Sequence, residues 1–188
     1  MSSDVIARLR AAGCIAPEEE ARELLRTAPD ERVLEEWLSR REQGEPLAWI
    51  TGETEFCGRG LYVAPGVYVP RPHTEELARR AARHLPDSGH AADLCTGAGA
   101  IAAHLMHEVP TASVIGVDID PSAVACAERN GVHAVVGDLG TPLGPGGSFD
   151  VVTCVPPYVP AVELPLLPAD VQRYEPRVAL DGGADGLD

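Results

Sequence analysis

The chain has 188 residues, is 45% hydrophobic and 23% charged, and sets 29 acidic against 15 basic side chains for a net charge of −14. That length holds one domain, or one with a small appendage, and the composition is that of a globular rather than a disordered chain. So acidic a chain is not expected to track a phosphate backbone, which needs Lys and Arg to neutralise it.

Residues 1–45 read as short helices. Asp4 is placed to cap a helix carrying Val5, Ile6 and Leu9 on one face and stopping at Gly13. Pro17 suits a first helical position, Glu18, Glu19 and Glu20 complement the helix dipole, and Ala21, Leu24 and Leu25 make the apolar stripe. Asp30 starts a third helix with Val33, Leu34, Trp37 and Leu38 inward and Gly44 beyond its end. Residues 46–73 change character. Thr54 to Cys57 and Leu61 to Val63 flank Gly58-Arg59-Gly60 and read as a hairpin, with a second turn at Ala64-Pro65-Gly66. Residues 74–188 form the expected main domain. Thr74 is placed to cap a helix with Leu77, Ala78, Ala81 and Leu85 inward. Strands at His90–Leu94, Ser113–Val117, Val132–Val136 and Phe149–Cys154 then alternate with helices at Ala98–His107 and Ser122–Asn130. This alternation predicts an α/β fold with a parallel sheet covered on both faces. Val159 to Pro168 reads as a loop over the strand ends.

Five cysteines (Cys14, Cys57, Cys95, Cys126, Cys154) with no Cys-x-x-Cys spacing point to reduced thiols, neither a zinc site nor a disulfide framework. Cys95 and Cys154 end strands expected to be neighbours and read as buried, inert thiols. His104 and His107 lack a third ligand nearby and read as solvated surface residues; His73 likewise. Trp37 and Trp49 read as packing. No apolar run approaches the ~20 residues of a membrane span, and the first residues lack a signal-peptide layout. A cytoplasmic protein that binds neither membrane nor nucleic acid is the expectation.

The chemistry-bearing residues fall at strand ends. Asp93-Leu94-Cys95-Thr96-Gly97-Ala98-Gly99 leaves a strand and enters a helix; its glycines let a ligand approach the backbone and the helix amides. Asp118 ends the next strand, where a Rossmann-like fold places a ribose-binding acid, and Asp138 follows the third, where an acid or its neighbouring amide reads an adenine edge. Singly, each is an ordinary turn or cap. In series they make Asp93, Thr96, Gly97, Gly99, Asp118 and Asp138 candidate cofactor-binding residues.

On the fourth strand Phe149 to Val155 runs into Pro156-Pro157-Tyr158. The stretch resembles motif four of methyltransferases that modify amide or amino nitrogens, written Asn- or Asp-Pro-Pro-Tyr, with Val155 in the polar position. The whole order is similar to class I methyltransferases that use S-adenosylmethionine. Arg40 to Gly52, Pro70-Arg71-Pro72-His73-Thr74-Glu75 and Arg173 to Leu187 further resemble the bacterial release-factor N(5)-glutamine methyltransferases, over nearly all of the chain from Arg40 onward. The resemblance implies S-adenosylmethionine as cofactor, a peptide chain release factor as protein substrate, and Val155, Pro156, Pro157 and Tyr158 as the catalytic acceptor pocket. In the family the motif's Asn oxygen and a backbone carbonyl accept the two amide hydrogens, so Val155 is expected to weaken catalysis. Cys95 stands where such loops carry their first glycine. The resemblance also makes this a shortened, divergent member, with a reduced helical cap and with the C-terminal strands of the sheet missing beyond Asp188. A related methyltransferase with another protein or small-molecule acceptor, and a non-catalytic paralogue or fragment, are the alternatives.

Overall fold

Three short helices open the chain. The structure, a computed structural model, describes residues 2–187; Met1 and Asp188, the outer limits of the first and third expected segments, lie outside the described residues. Helix α1 (Ser2–Ala11) starts ahead of Asp4, so Asp4 sits inside the first turn and meets the helix dipole instead of capping. Helix α2 (Pro17–Thr27) begins on its proline, and α3 (Glu31–Glu42) is capped by Asp30, whose carboxylate accepts from the Val33 N–H at 2.8 Å. Leu9, Leu24 and Leu38 are fully buried and share a core with Val5, Ala21, Leu34 and Ile50. Burying a leucine is worth about 1.5–3 kcal/mol, so this core, rather than helix propensity, holds three helices too short to persist alone.

A further helix, α4 (Leu47–Thr51), was not expected. Its Ile50 joins the helical core while Ala48 and Trp49 join the larger one, which makes it the joint between the two. The Trp49 indole donates to the Val67 carbonyl at 2.9 Å, a bond made in the protein interior. The hairpin follows as β1 (Glu53–Phe56) and β2 (Arg59–Tyr62). Its turn is Cys57-Gly58 and not Gly58-Arg59-Gly60. Both turn residues have positive φ (51° and 73°), the two-residue geometry whose twist matches the strands. The second turn forms as expected: the Val67 N–H reaches the Ala64 carbonyl at 3.1 Å, with Pro65 and a positive-φ Gly66 between them.

Helix α5 (Glu75–His84) is led in by a 3-10 turn at Pro72–Thr74, so Thr74 is already helical and its side chain makes no cap. Ala78, Ala81 and Leu85 are buried; Leu77, beside that stripe, is 39% exposed. The four strands β3 (His90–Leu94), β4 (Ser113–Asp118), β5 (Ala134–Val136) and β6 (Val151–Cys154) are parallel and ordered β5-β4-β3-β6. The chain steps outward from β3 to β5, then returns to the other side of β3. That reversal is the Rossmann-like switch point, outside the carboxyl ends of the strands, where such sheets bind ligands. Helix α6 (Ala100–Glu108) starts at Ala100 rather than Ala98 because Gly99 is left-handed (φ 79°), and α7 (Pro121–Arg129) joins β4 to β5. The main core gathers residues of α5, α6 and α7 with Ala91, Val114 and Ala134 of the strands. On the opposite face of β6, Val152 is 56% exposed and Cys154 is exposed, so helical cover there is one-sided, not double.

Two further expectations are corrected. His104 is buried (7% exposed), its ring nitrogens have no hydrogen-bond partner among the described residues, and burial holds its pKa below the usual histidine value. Its place on the inner face of α6, not composition, decides this. The stretch after Tyr158 is mostly irregular, as expected, but contains a 3-10 turn (Leu164–Leu166) and is followed by an unforeseen helix α8 (Ala169–Tyr174).

Candidate functional site

At the carboxyl ends of the strands lies a cavity of about 260 Å³. Gly97, Asp118 and Asp138 line one side; Val155, Pro156, Pro157 and Tyr158 line the other. The structure thus brings together the ends of β3, β4, β5 and β6. Asp93, Thr96 and Gly99 do not line it.

Gly97 is left-handed (φ 57°), and a Cβ added there would meet nothing within 4 Å. Its bare backbone therefore faces open space at the cavity. Gly99 serves packing instead: a Cβ would lie 3.0 Å from both Ala127 and Val132. Cys95 also adopts a left-handed backbone (φ 54°), which costs a non-glycine residue about 1–2 kcal/mol. It lines the cavity half-buried, and burial pushes its thiol up to about 12. Cys154 is exposed, against the expectation of a buried thiol.

Asp93 is a buried bracket. Its carboxylate accepts from the hydroxyls of Thr96 and Thr153, both at 2.7 Å, and from the Ala102 N–H at 3.3 Å. One side chain thereby ties β3, the glycine turn, α6 and β6 together. Burial pushes its carboxyl up to about 6, although the three donors pull the other way. Its folded pKa lies above the ordinary value of 3.8. The protonated form therefore supports the fold most fully below about 4, and that support is lost as pH rises to about 6, by about 3 kcal/mol. Relative to Asp93→Asn, the wild-type denaturant midpoint should fall across that window and keep a constant offset above it. Asp93→Asn should flatten the slope; an unchanged slope in that variant would place its origin elsewhere.

Asp118 braces the turn from β4. One carboxylate oxygen accepts from the Gly97 N–H at 2.8 Å and the other from the Asp120 N–H at 3.0 Å. Asp138 is exposed, and its carbonyl accepts from the Thr141 N–H at 3.0 Å. The expectation covers the amide beside Asp138 but neither of the apolar side chains that follow these acids. Ile119 (56% exposed) and Leu139 (49% exposed, φ 46°) both border the cavity. The signal was present: each is a large apolar residue directly after a strand-end acid, where the inner face has already ended.

Across the cavity Val155 is half-buried and packs against the core, and Tyr158 is exposed. A strap from Leu180 to Gly186 lies on this turn. The Val159 N–H donates to Leu180 (3.0 Å), and the Gly182 N–H donates back to Val159 (2.9 Å). A Cβ on Gly182 would sit 2.9 Å from the Pro157 carbonyl and the Tyr158 Cα; one on left-handed Gly186 would sit 2.6 Å from the Tyr158 carbonyl. Farther along, Tyr174 packs edge-on against Trp49 and donates to the Gln43 carbonyl at 3.1 Å. The buried Glu175 accepts from Arg71 at 2.6 and 2.7 Å, and the Arg71 guanidinium lies 4.6 Å from the ring centroid of the cavity-lining Tyr68. Tyr174 and Glu175 therefore hold the segment down. His73 is on the surface.

Asp118, Asp120 and Asp138 line the cavity, and among the described residues its lining holds no Lys, Arg or His. Such a site favours a ligand bearing positive charge. Its walls also carry apolar side chains at both ends, so the ligand has apolar parts too.

A family model described as a methyltransferase domain matches residues 91–173. The chain is 42% identical over 157 residues to the release factor glutamine methyltransferase of Geobacter sulfurreducens, covering 80% of this chain and 55% of that protein. It is 42% identical over 161 residues to the protein of the same name from Moorella thermoacetica (80% and 56% covered), and 38% identical over 170 residues to that from Koribacter versatilis (86% and 61% covered). The chain thus spans less than two thirds of the length of these relatives.

Proposed function

We propose, for a chain that is a relative of the release factor glutamine methyltransferases and carries a class I methyltransferase fold, that it transfers a methyl group from S-adenosylmethionine to the side-chain amide nitrogen of a glutamine. The observation that carries this reading is one cavity lined by strand-end carboxylates on one side and Pro156-Pro157-Tyr158 on the other. In domain terms, residues 1–45 act as a helical cap, 46–73 as a linker and 74–188 as the methyltransferase domain. The substrate is a protein, with a peptide chain release factor as the partner, and the setting is cytoplasmic; no helix among the described residues is long and apolar enough to cross a membrane.

The residues present fit the cofactor. Asp118 keeps lone pairs free to accept from ribose hydroxyls, Ile119 and Leu139 offer apolar edges to a purine, and the carboxylates suit a sulfonium. When bound, the cofactor supplies an electrophilic methyl group. Gly97 leaves the backbone open to it, while Asp93 and Thr96 fix the turn from behind.

An amide nitrogen is a poor nucleophile because its lone pair is delocalised, so the protein must orient it and accept its hydrogens as charge develops. The Pro156 carbonyl is the acceptor the motif retains, and two successive prolines offer no competing N–H. Tyr158 is the aromatic wall beside the acceptor. Val155 provides no side-chain acceptor, so turnover on glutamine is slow. Incubating the protein with methyl-labelled cofactor and a peptide from a release factor's glutamine loop tests this: slow labelling confined to that glutamine is expected, and labelling of a different residue type would overturn it. Val155 also carries the second reading, a related methyltransferase whose protein or small-molecule acceptor needs no such partner. A chain that binds cofactor and transfers nothing would be the non-catalytic case.

A further inference from the structure

We propose that Asn130 is the positioning residue through which the β-hairpin sets the glycine turn at the cofactor end of the cavity. The proposal rests on the functional reading only in taking Gly97 as a border of the cofactor site.

Asn130 stands at the C-terminus of α7, far in sequence from both segments it joins. Its side-chain oxygen accepts from the Tyr62 N–H at 2.9 Å, and its side-chain nitrogen donates to the Tyr62 carbonyl at 2.8 Å. The carboxamide thus pairs with both main-chain groups of the last residue of β2, as a neighbouring strand would. The remaining amide hydrogen reaches the Ala98 carbonyl, also at 2.8 Å. Ala98 is buried between Gly97 and Gly99, both left-handed. Two side chains therefore hold this turn from outside it at its glycine end: Asp118 at the Gly97 N–H and Asn130 at the Ala98 carbonyl.

Neighbouring contacts make the hairpin side of the joint firm. The Arg129 guanidinium lies 3.6 Å from the Tyr62 ring centroid, and the Ala64 N–H donates to the Cys126 sulfur at 3.4 Å. The hairpin also connects directly to α4, the joint with the helical core. A shift of the hairpin is thus transmitted to the Ala98 carbonyl through one rigid amide. No carboxylate can substitute, because the site demands two donors as well as one acceptor. Without the donors, the Ala98 carbonyl loses its partner and the Tyr62 carbonyl keeps only the Cys126 thiol at 3.5 Å, so the turn is left with its strained backbone and one brace fewer.

The test is residue-resolved amide hydrogen exchange on the wild-type chain, Asn130→Asp and Asn130→Ala, with S-adenosylmethionine affinity measured in parallel. Asn130→Asp keeps the acceptor for the Tyr62 N–H and removes both donors. Its Gly97 and Gly99 amides should exchange about tenfold faster or more while Tyr62 stays slow; in Asn130→Ala all three should quicken. Ala92 and Val117, in the middle of the sheet, should be unchanged in both. The cofactor dissociation constant should rise about tenfold in Asn130→Asp. Unchanged Gly97 and Gly99 exchange in both variants, or a uniform rise across the sheet, would overturn the proposal. A wild-type chain that binds no cofactor would sink the functional reading instead, and the exchange data would still decide the role of Asn130.

Discussion

Val155→Asn is expected to raise methyl transfer to glutamine by about 100-fold while leaving cofactor affinity within about twofold. Losing a group that positions and polarises the reacting atom costs on that order, and the substitution restores one. The side chain is half-buried directly after β6, on the Pro-Pro-Tyr side of the cavity, and β3 separates β6 from the strand bearing Asp118. An asparagine there places a carboxamide oxygen beside the Pro156 carbonyl, so both hydrogens of an incoming amide find acceptors. Because Val155 packs against the core, the exchange should lower stability by about 1–2 kcal/mol. Single-turnover transfer to a glutamine peptide measures the gain, with Val155→Ala as the size control remaining at the wild-type rate. An Asn variant no faster than wild type would mean that this position does not limit the reaction.

Gly182→Ala should slow transfer by about 10- to 100-fold, although Gly182 contributes no chemistry. A methyl group at this position would lie 2.9 Å from the Pro157 carbonyl, the Tyr158 Cα and the Gly186 Cα, all backbone atoms that cannot rotate aside. Either the strap lifts or the Pro-Pro-Tyr turn moves. Overpacking of this kind costs about 1–3 kcal/mol, and displacement of the acceptor wall by a fraction of an ångström accounts for the rate. The melting temperature should drop modestly, and cofactor affinity should hold because the strap lies on the acceptor side. Equal loss of cofactor affinity and rate would show instead that the two sides of the cavity collapse together.

The sheet was readable from the sequence because each strand is a short, mostly apolar run with Gly, Asp or Pro at its end or within the next three residues. Its core strand His90–Leu94 was delimited correctly, and the Gly97, Asp118 and Asp138 ends converge as the Rossmann-like pattern requires. What escaped notice depends on tertiary neighbours. Helix α4 has five residues, too few for a periodic stripe, and exists because Ile50 and Trp49 enter different cores. The hairpin turn was displaced because Cys57, with its side chain, takes a positive φ usually left to Gly or Asn. Asp93 was read as a ligand contact because it opens the glycine motif. In the fold its side chain points instead into the bracket formed by Thr96 and Thr153, a partner 60 residues away. Gly182 and Gly186 looked like a family signature, and only the close backbone approach to Pro157 and Tyr158 supplies the physical reason for them.

The most direct test of a cofactor site at the ends of β3, β4 and β5 is a calorimetric titration of S-adenosylmethionine into the wild-type chain, with Asp118→Ala as control. Saturable one-to-one binding is predicted, weakened about 100-fold or more in the variant, which loses both the proposed ribose acceptor and the brace on Gly97. No binding by a folded wild-type chain, or equal affinity in the two proteins, would contradict the assignment.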